Sequence, residues 1–186
     1  GYGIPARDRQ YDSYGGADDA VKGKVAIAYR YEPMDGNRSR WAASAGRYAG
    51  WSNEASLIEK ARTAAEHGAS ALIVVNPPTM SSARMHTTSS TSFGVRAAIP
   101  VFQGSPGLLR RLLILSGEKD FDATMKAWQA SADAGTGKLV PLGGLKLSGK
   151  VDLKPVTVTG HNVIAVLPGA GALARQAVIV GAHYDH

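Results

Sequence analysis

The segment Glu66-His67-Gly68-Ala69-Ser70-Ala71-Leu72-Ile73-Val74-Val75-Asn76-Pro77-Pro78 decides the fold class of this chain. Apolar residues recur at helical spacing before it, at Leu57, Ile58, Ala61, Ala64 and Ala65. Gly68 is typical of a residue that ends a helix, and the run 69–76 predicts a buried strand that stops at two prolines. A helix that leads directly into a buried strand predicts an α/β-type unit.

Further elements follow on both sides of this unit. The sequence predicts a turn and a strand over 21–30 and another strand beginning at Ile99. Ser105 and Pro106 have the residue types of a helix start, and a leucine-rich helix is expected to run from there to Gly117. A further helix is expected from Asp122 to about Ala132.

The second half of the chain has a different pattern. Apolar and polar residues alternate over 145–153, which predicts a half-buried strand. The apolar runs 162–167 and 177–182 predict two more strands, joined by a glycine-rich connection. Residues 79–94 are rich in Ser and Thr, and their apolar residues recur at neither helical nor strand spacing. We therefore expect a long exposed loop that is either functional or simply flexible.

Composition excludes several classes of protein. With 44% hydrophobic and 19% charged residues, the chain is typical of a globular protein. The absence of cysteine excludes disulfides and thiolate metal sites. The net charge is +6, but Lys and Arg do not cluster, so we expect no nucleic-acid partner. No apolar run is long enough for a membrane span, and the missing initiator Met suggests a piece of a longer protein.

Among the five histidines, His183 has the most informative surroundings. It follows a buried apolar run, and Asp185 lies two residues on, on the same side of a strand. The carboxyl ends of strands are where α/β sheets build sites. A carboxylate beside a histidine can orient it as a metal ligand. From spacing alone, a structural role for this pair is favoured over a metal site, and His186 has no role that the pattern identifies.

Two stretches carry a resemblance to known families. The run 162–169 and the sequence Val178-Ile179-Val180-Gly181-Ala182-His183-Tyr184-Asp185-His186 resemble the start of the catalytic domain of zinc aminopeptidases of metallopeptidase family 28. This family includes glutamate carboxypeptidase and the transferrin receptor. Upstream, Val21-Lys22-Gly23-Lys24-Val25, Glu66-His67-Gly68-Ala69, the strand 72–76 and Ile99-Pro100-Val101 resemble a protease-associated (PA) domain.

The resemblance implies hydrolysis of N-terminal peptide bonds by a site with two zinc ions. His183 aligns with a zinc ligand of the family, and Asp185 aligns with the carboxylate that orients it. The other ligands and the general base lie further along the sequence in this family. One imidazole falls short of the three protein ligands usual for a catalytic zinc, so we expect this segment alone to be inactive and not to hold zinc stably.

The resemblance implies an α+β protein of two parts. Residues 1–118 are expected to form a PA domain, a β-sandwich or barrel-like module with a few helices. Residues 119–186 are expected to be a connector and the first strands of a mixed-sheet peptidase domain. The PA domain would serve substrate access or bind a partner protein. The alternative is a non-catalytic binding module of a peptidase-like protein that has lost its metals. By resemblance the protein is secreted, periplasmic or part of the cell envelope.

Overall fold

The structure is a computed structural model that describes residues 1–16, 21–41, 50–83, 97–150, 152, 154 and 159–183. The main elements, in chain order, are β1 (Val25–Tyr29), β2 (Met34–Asp35), β3 (Arg38–Ser39), α1 (Leu57–Glu66), β4 (Ala71–Val75), β5 (Val101–Gly104), α2 (Pro106–Leu115) and α3 (Phe121–Asp133). Short 3₁₀ turns lie at Arg7–Arg9, Asn53–Ala55, Pro78–Met80 and Gly171–Leu173. The chain divides into two compact units, Gly1–Val151 and Asp152–His186.

The first unit is built around a parallel sheet in the order β1-β4-β5. β1 pairs with β4 from Val25 opposite Ala71 to Tyr29 opposite Val75, and β4 pairs with β5 from Leu72 opposite Val101. Parallel neighbours need a crossover connection, and α1 supplies it between β1 and β4. The predicted α/β unit is therefore confirmed. β2 and β3 form a separate small antiparallel pair.

Side chains alternate across this sheet and build two cores. On one face, β1 and β4 contribute Tyr29, Ile73 and Val75 to a core that includes residues of α2 and α3. On the other face, Ala28, Leu72 and Val74 pack with α1. All five residues of β4 are buried, as expected for a central parallel strand covered on both faces. The described residues thus contain three helices, a helix-covered parallel sheet and a small antiparallel pair, which confirms the α+β class that the resemblance implied.

The helix ends follow the sequence signals closely. Ser105 caps α2 by accepting a hydrogen bond from the Leu108 N–H at 3.2 Å. Gly68 has a φ of 78°, and the next N–H bonds back to the Ala64 carbonyl at 2.9 Å, which ends α1 as predicted. His67 takes the C-cap position of α1. The cap at the start of α1 is Ser56, with the Asn53–Ala55 turn in front of it.

The helix α3 packs as part of the first unit. The Tyr29 hydroxyl donates to the Met125 carbonyl at 3.0 Å, and the Tyr2 hydroxyl donates to Asp133 Oδ1 at 2.7 Å. Met125 and Ala132 are buried in the same core as the sheet. The predicted boundary near residue 118 stays a prediction, but the compact unit that contains β1 extends past α3 to Val151.

The strands predicted over 145–153, 162–167 and 177–182 do not form in the described residues of these ranges. Val163, Ile164 and Val178 are at least 83% exposed. A strand is stable only when its backbone finds a hydrogen-bonding partner and one face is covered, and no described residue of these three ranges is paired in either sheet. These three strand predictions are wrong for this structure. Most of the predicted loop, from residue 84 onward, lies outside the described residues.

Candidate interaction site

A cleft opens where the parallel strands of the first unit end. Its volume is about 360 Å³. It lies between the residues after β4, the first turn of α2 and the start of α3, and the residues that line it are Asn76, Pro78, Ser81, Pro106, Gly107, Arg110, Phe121, Asp122, Met125 and Lys126. The carboxyl ends of parallel strands are the usual place for ligand sites in α/β folds.

Specific contacts fix the walls of this cleft. Gln129 of α3 donates to the Thr79 hydroxyl at 2.6 Å and accepts from the Thr79 N–H at 3.1 Å. This pair holds α3 against the turn that follows β4. On the α2 side, a Cβ at Gly104 would lie 3.0 Å from the Ile73 and Val75 side chains. Glycine at this position therefore lets the chain enter α2 close to β4.

Asn76 is the buried polar side chain of the cleft. Only 5% of the residue is exposed, because it directly follows the central strand. Its Nδ2 donates to the Ala83 carbonyl at 2.6 Å. Its Oδ1 is buried and accepts no hydrogen bond from the described residues. A buried acceptor without a donor is costly, so this atom is suited to accept a hydrogen bond from a bound group.

The charged groups at the cleft are unequally compensated. Arg110 forms an exposed ion pair with Asp122 at 3.2 Å, and its guanidinium lies 4.5 Å from the centre of the Phe121 ring. Lys126 forms no ion pair with any described residue. The first N–H groups of an α-helix lack partners inside the helix, and Gly107 brings one of them to the cleft. The first turn of α2 and Lys126 together favour a negatively charged group.

A second polar cluster is enclosed beside α1. The Lys60 ammonium donates to the Tyr2 carbonyl. Glu32 accepts from the Ser39 hydroxyl and from the hydroxyl and N–H of Ser52. Burial lowers the pKa of Lys60 to about 7, and the Glu32 carboxylate opposes part of that shift. Both residues are at most 1% exposed, so they hold the surrounding segments together and are closed to a ligand.

Sequence reasoning missed Lys60, Glu32 and the cleft. Lys60 lies in the apolar stripe of α1, between Leu57 and Ala64. A lysine at an apolar position of an amphipathic helix is the signal that could have identified it. The sequence predicts Asn76 as the end of a strand, but the cleft that it lines is completed by residues of α2 and α3.

Of the two predicted zinc-site residues, His183 and Asp185, the structure describes only His183. His183 is exposed, and Asp185 and His186 lie outside the described residues. Among the residues that are described, no three His, Asp or Glu side chains lie together as a metal site would need. The described residues therefore do not fit a zinc site by themselves. The His67 ring stacks on Tyr14 with centroids 4.1 Å apart, which is a packing role.

Comparison with known proteins supports the PA-domain resemblance of the first half of the chain. A model of the PA domain matches residues 3–103. No curated protein and no solved structure matches the chain. Within the described residues, no helix is sufficiently long and apolar to cross a membrane. The matched region covers more than half of the sequence and contains β1, α1, β4 and most of β5, and the chain therefore belongs to the PA (protease-associated) domain family.

Proposed function

We propose that the first unit is a binding module for a peptide or protein partner, in the context of proteolysis. The observation that carries this proposal is the cleft at the carboxyl ends of the sheet in a chain of the PA domain family. Its walls are largely apolar, with Phe121, Met125 and prolines, and a few polar groups converge on it. That combination is typical of binding sites.

We further propose that the module belongs to a zinc-dependent aminopeptidase of metallopeptidase family 28. The support is the resemblance of 162–186 to the start of that catalytic domain, with His183 as a zinc ligand and Asp185 as the carboxylate that orients it. When bound, two zinc ions would polarise the scissile carbonyl and lower the pKa of the attacking water. Secretion or export would follow from the same resemblance.

The zinc proposal is tested in the longest protein that carries this sequence. His183→Ala should lose most aminopeptidase activity and weaken one zinc site. Asp185→Asn should keep zinc but lose about 10- to 100-fold in activity. His161→Ala, in an exposed histidine of the same segment, is the matched control and should leave activity and zinc content unchanged.

Two results would overturn the zinc proposal. Full activity in zinc-replete His183→Ala would remove the ligand assignment. Absence of bound zinc and of activity in the unaltered protein would instead favour the alternative, a non-catalytic binding module that has lost its metals. Neither result touches the binding role of the first unit, which is measured by partner binding.

A further inference from the structure

We propose that the cleft between β4, α2 and α3 binds the free carboxyl terminus of a peptide whose last residue is apolar. The inference rests on the proposed binding role of the first unit and is independent of the zinc site. Three features of the cleft lead to it, and each selects a different part of the ligand.

The first feature selects a negatively charged group. Gly107 is the second residue of α2 and lines the cleft. Pro106 has no N–H, and the Leu108 N–H is bonded to the Ser105 hydroxyl, so the Gly107 N–H and the positive end of this ten-residue helix are what α2 offers there. Lys126 adds a positive charge that no described carboxylate neutralises. Arg110 contributes less, because Asp122 already pairs with it at 3.2 Å. A carboxylate satisfies both the helix and Lys126.

The second feature is a hydrogen-bond acceptor on Asn76, which lines the same cleft, and it selects a donor in the ligand. Asn76 is only 5% exposed, and its Oδ1 accepts no hydrogen bond from the described residues. A simple inorganic anion offers acceptors and leaves this atom unsatisfied. The last residue of a peptide carries a carboxylate and an amide N–H on the same Cα. It can therefore satisfy the helix end and Asn76 at once.

The third feature selects an apolar side chain. Phe121, Met125 and Pro106 form apolar walls, and Arg110 covers the Phe121 ring and keeps it in place at 4.5 Å. A volume of about 360 Å³ lies at the small end of the range for ligand pockets. The cleft thus suits a terminal residue and its neighbour. In an aminopeptidase, such a site would hold a peptide by the end opposite to the bond that is cleaved.

The test measures binding of three synthetic peptides to the intact chain by calorimetry, with amide chemical shifts as a map. The peptides are a glycine–serine hexapeptide ending in leucine as the free acid, the same peptide as the C-terminal amide, and the free acid ending in aspartate. The leucine acid should bind and shift the amides of Asn76 and Gly107. The amide and the aspartate peptide should bind at least about tenfold more weakly, since each loses one group that the cleft selects.

Matched variants locate the contacts. Gly107→Pro removes the N–H but places a proline directly after the first helical residue, Pro106, so its fold is checked by circular dichroism. Gly107→Ala keeps the N–H in a position where a Cβ meets only ordinary contacts. Gly107→Pro should weaken binding of the leucine acid at least fivefold more than Gly107→Ala does, because only the proline removes the N–H. Lys126→Ala should weaken binding severalfold and reduce its salt dependence, with Lys119→Ala, an exposed lysine outside the cleft lining, as the control.

Two outcomes would overturn the inference. The free acid and the C-terminal amide peptide could bind equally well and both shift the backbone signals of Asn76 and Gly107. That result would refute recognition of a carboxyl terminus, while leaving a peptide-binding cleft and the proposed function in place. No shift at Asn76 or Gly107 with any peptide would refute the site, and binding mapped to other residues would then place the module's partner surface elsewhere. If Gly107→Pro fails to fold by circular dichroism, the Lys126→Ala and Lys119→Ala pair decides the anion contact.

Discussion

At the scale of single residues, Lys60 is a lysine, a residue type usually exposed to solvent, that lies buried in the fold. Its ammonium is buried with Glu32 and the Tyr2 carbonyl. Burial lowers its pKa to about 7, whereas the unfolded chain keeps it near its ordinary value of about 10.4. Between these values, unfolding takes up a proton. The contribution of this proton linkage to the free energy of unfolding is complete above the pKa of Lys60 in the unfolded chain, and it is lost as the pH falls toward 7.

This linkage gives a prediction about pH. Between about pH 8 and 9, the free energy of unfolding of the unaltered chain should rise by about 1 kcal/mol more than that of Lys60→Met, because one proton per molecule corresponds to about 1.4 kcal/mol per pH unit. This window stays below the ionisation of tyrosine in the unfolded chain. Urea unfolding at both pH values measures the difference.

The control for Lys60→Met is Lys119→Met, at an exposed lysine. It should retain the pH dependence of the unaltered chain. If all three proteins instead show the same dependence on pH, Lys60 is not titrating between the folded and unfolded states as its burial requires.

At the scale of elements, α3 is attached to the start of the chain by one carboxylate. Asp133 Oδ1 accepts from the Tyr2 hydroxyl and from the Met34 N–H, both at 2.7 Å, and both donor residues are buried. Burial raises the pKa of the Tyr2 hydroxyl, and the hydrogen bond to Asp133 raises it further. The hydroxyl therefore stays a donor at neutral pH and α3 stays attached.

Removing this carboxylate should be costly. Asp133→Ala leaves two buried donors unsatisfied and should lower the free energy of unfolding by about 2–4 kcal/mol. Asp133→Asn keeps one acceptor oxygen and should cost less. Asp122→Ala breaks an exposed ion pair on the same helix and should cost less than about 1 kcal/mol. Thermal or urea unfolding ranks the three, and equal losses for Asp133→Ala and Asp122→Ala would show that α3 does not depend on these bonds.

The same elements show what sequence could predict. The positions of α1, β4, α2 and α3 follow from local signals, namely helical spacing, Ser105-Pro106 at a helix start and Gly68 at a helix end. The contacts of Asn76, Lys60 and Asp133 could not be predicted in this way, because their partners lie far away in the sequence or on another element. The cleft therefore emerged only from the arrangement of the helices.

The apolar runs of the second half show the opposite limit. The alternation over 145–153 and the run 178–180 indicate segments that are able to pair, but not which strand they pair with. In the described residues these segments form no strand, and Val178, Ile179 and Val180 are exposed. The pattern of apolar residues indicates that a segment can be buried, whereas strand formation also needs a partner strand to accept and donate backbone hydrogen bonds.

At the scale of the whole molecule, the sheet, α2 and α3 share one hydrophobic core, and we expect them to unfold as one cooperative unit that carries the cleft. The cleft walls come from α2, α3 and the residues after β4. The same elements share one core with Tyr2 and Ile4 of the N-terminal segment. The cleft is therefore preformed, because its walls are fixed by the packing that stabilises the fold.

Amide hydrogen exchange of the intact chain, followed by mass spectrometry, tests this cooperative unit most directly. Peptides from β1, β4 and α3 should be protected together and lose protection at the same denaturant concentration, and peptides from 162–167 and 177–182 should exchange rapidly. If α3 exchanges as rapidly as those exposed segments while β1 and β4 stay protected, then α3 is a separate connector, the boundary lies near residue 118, and the cleft is not a preformed part of the first unit.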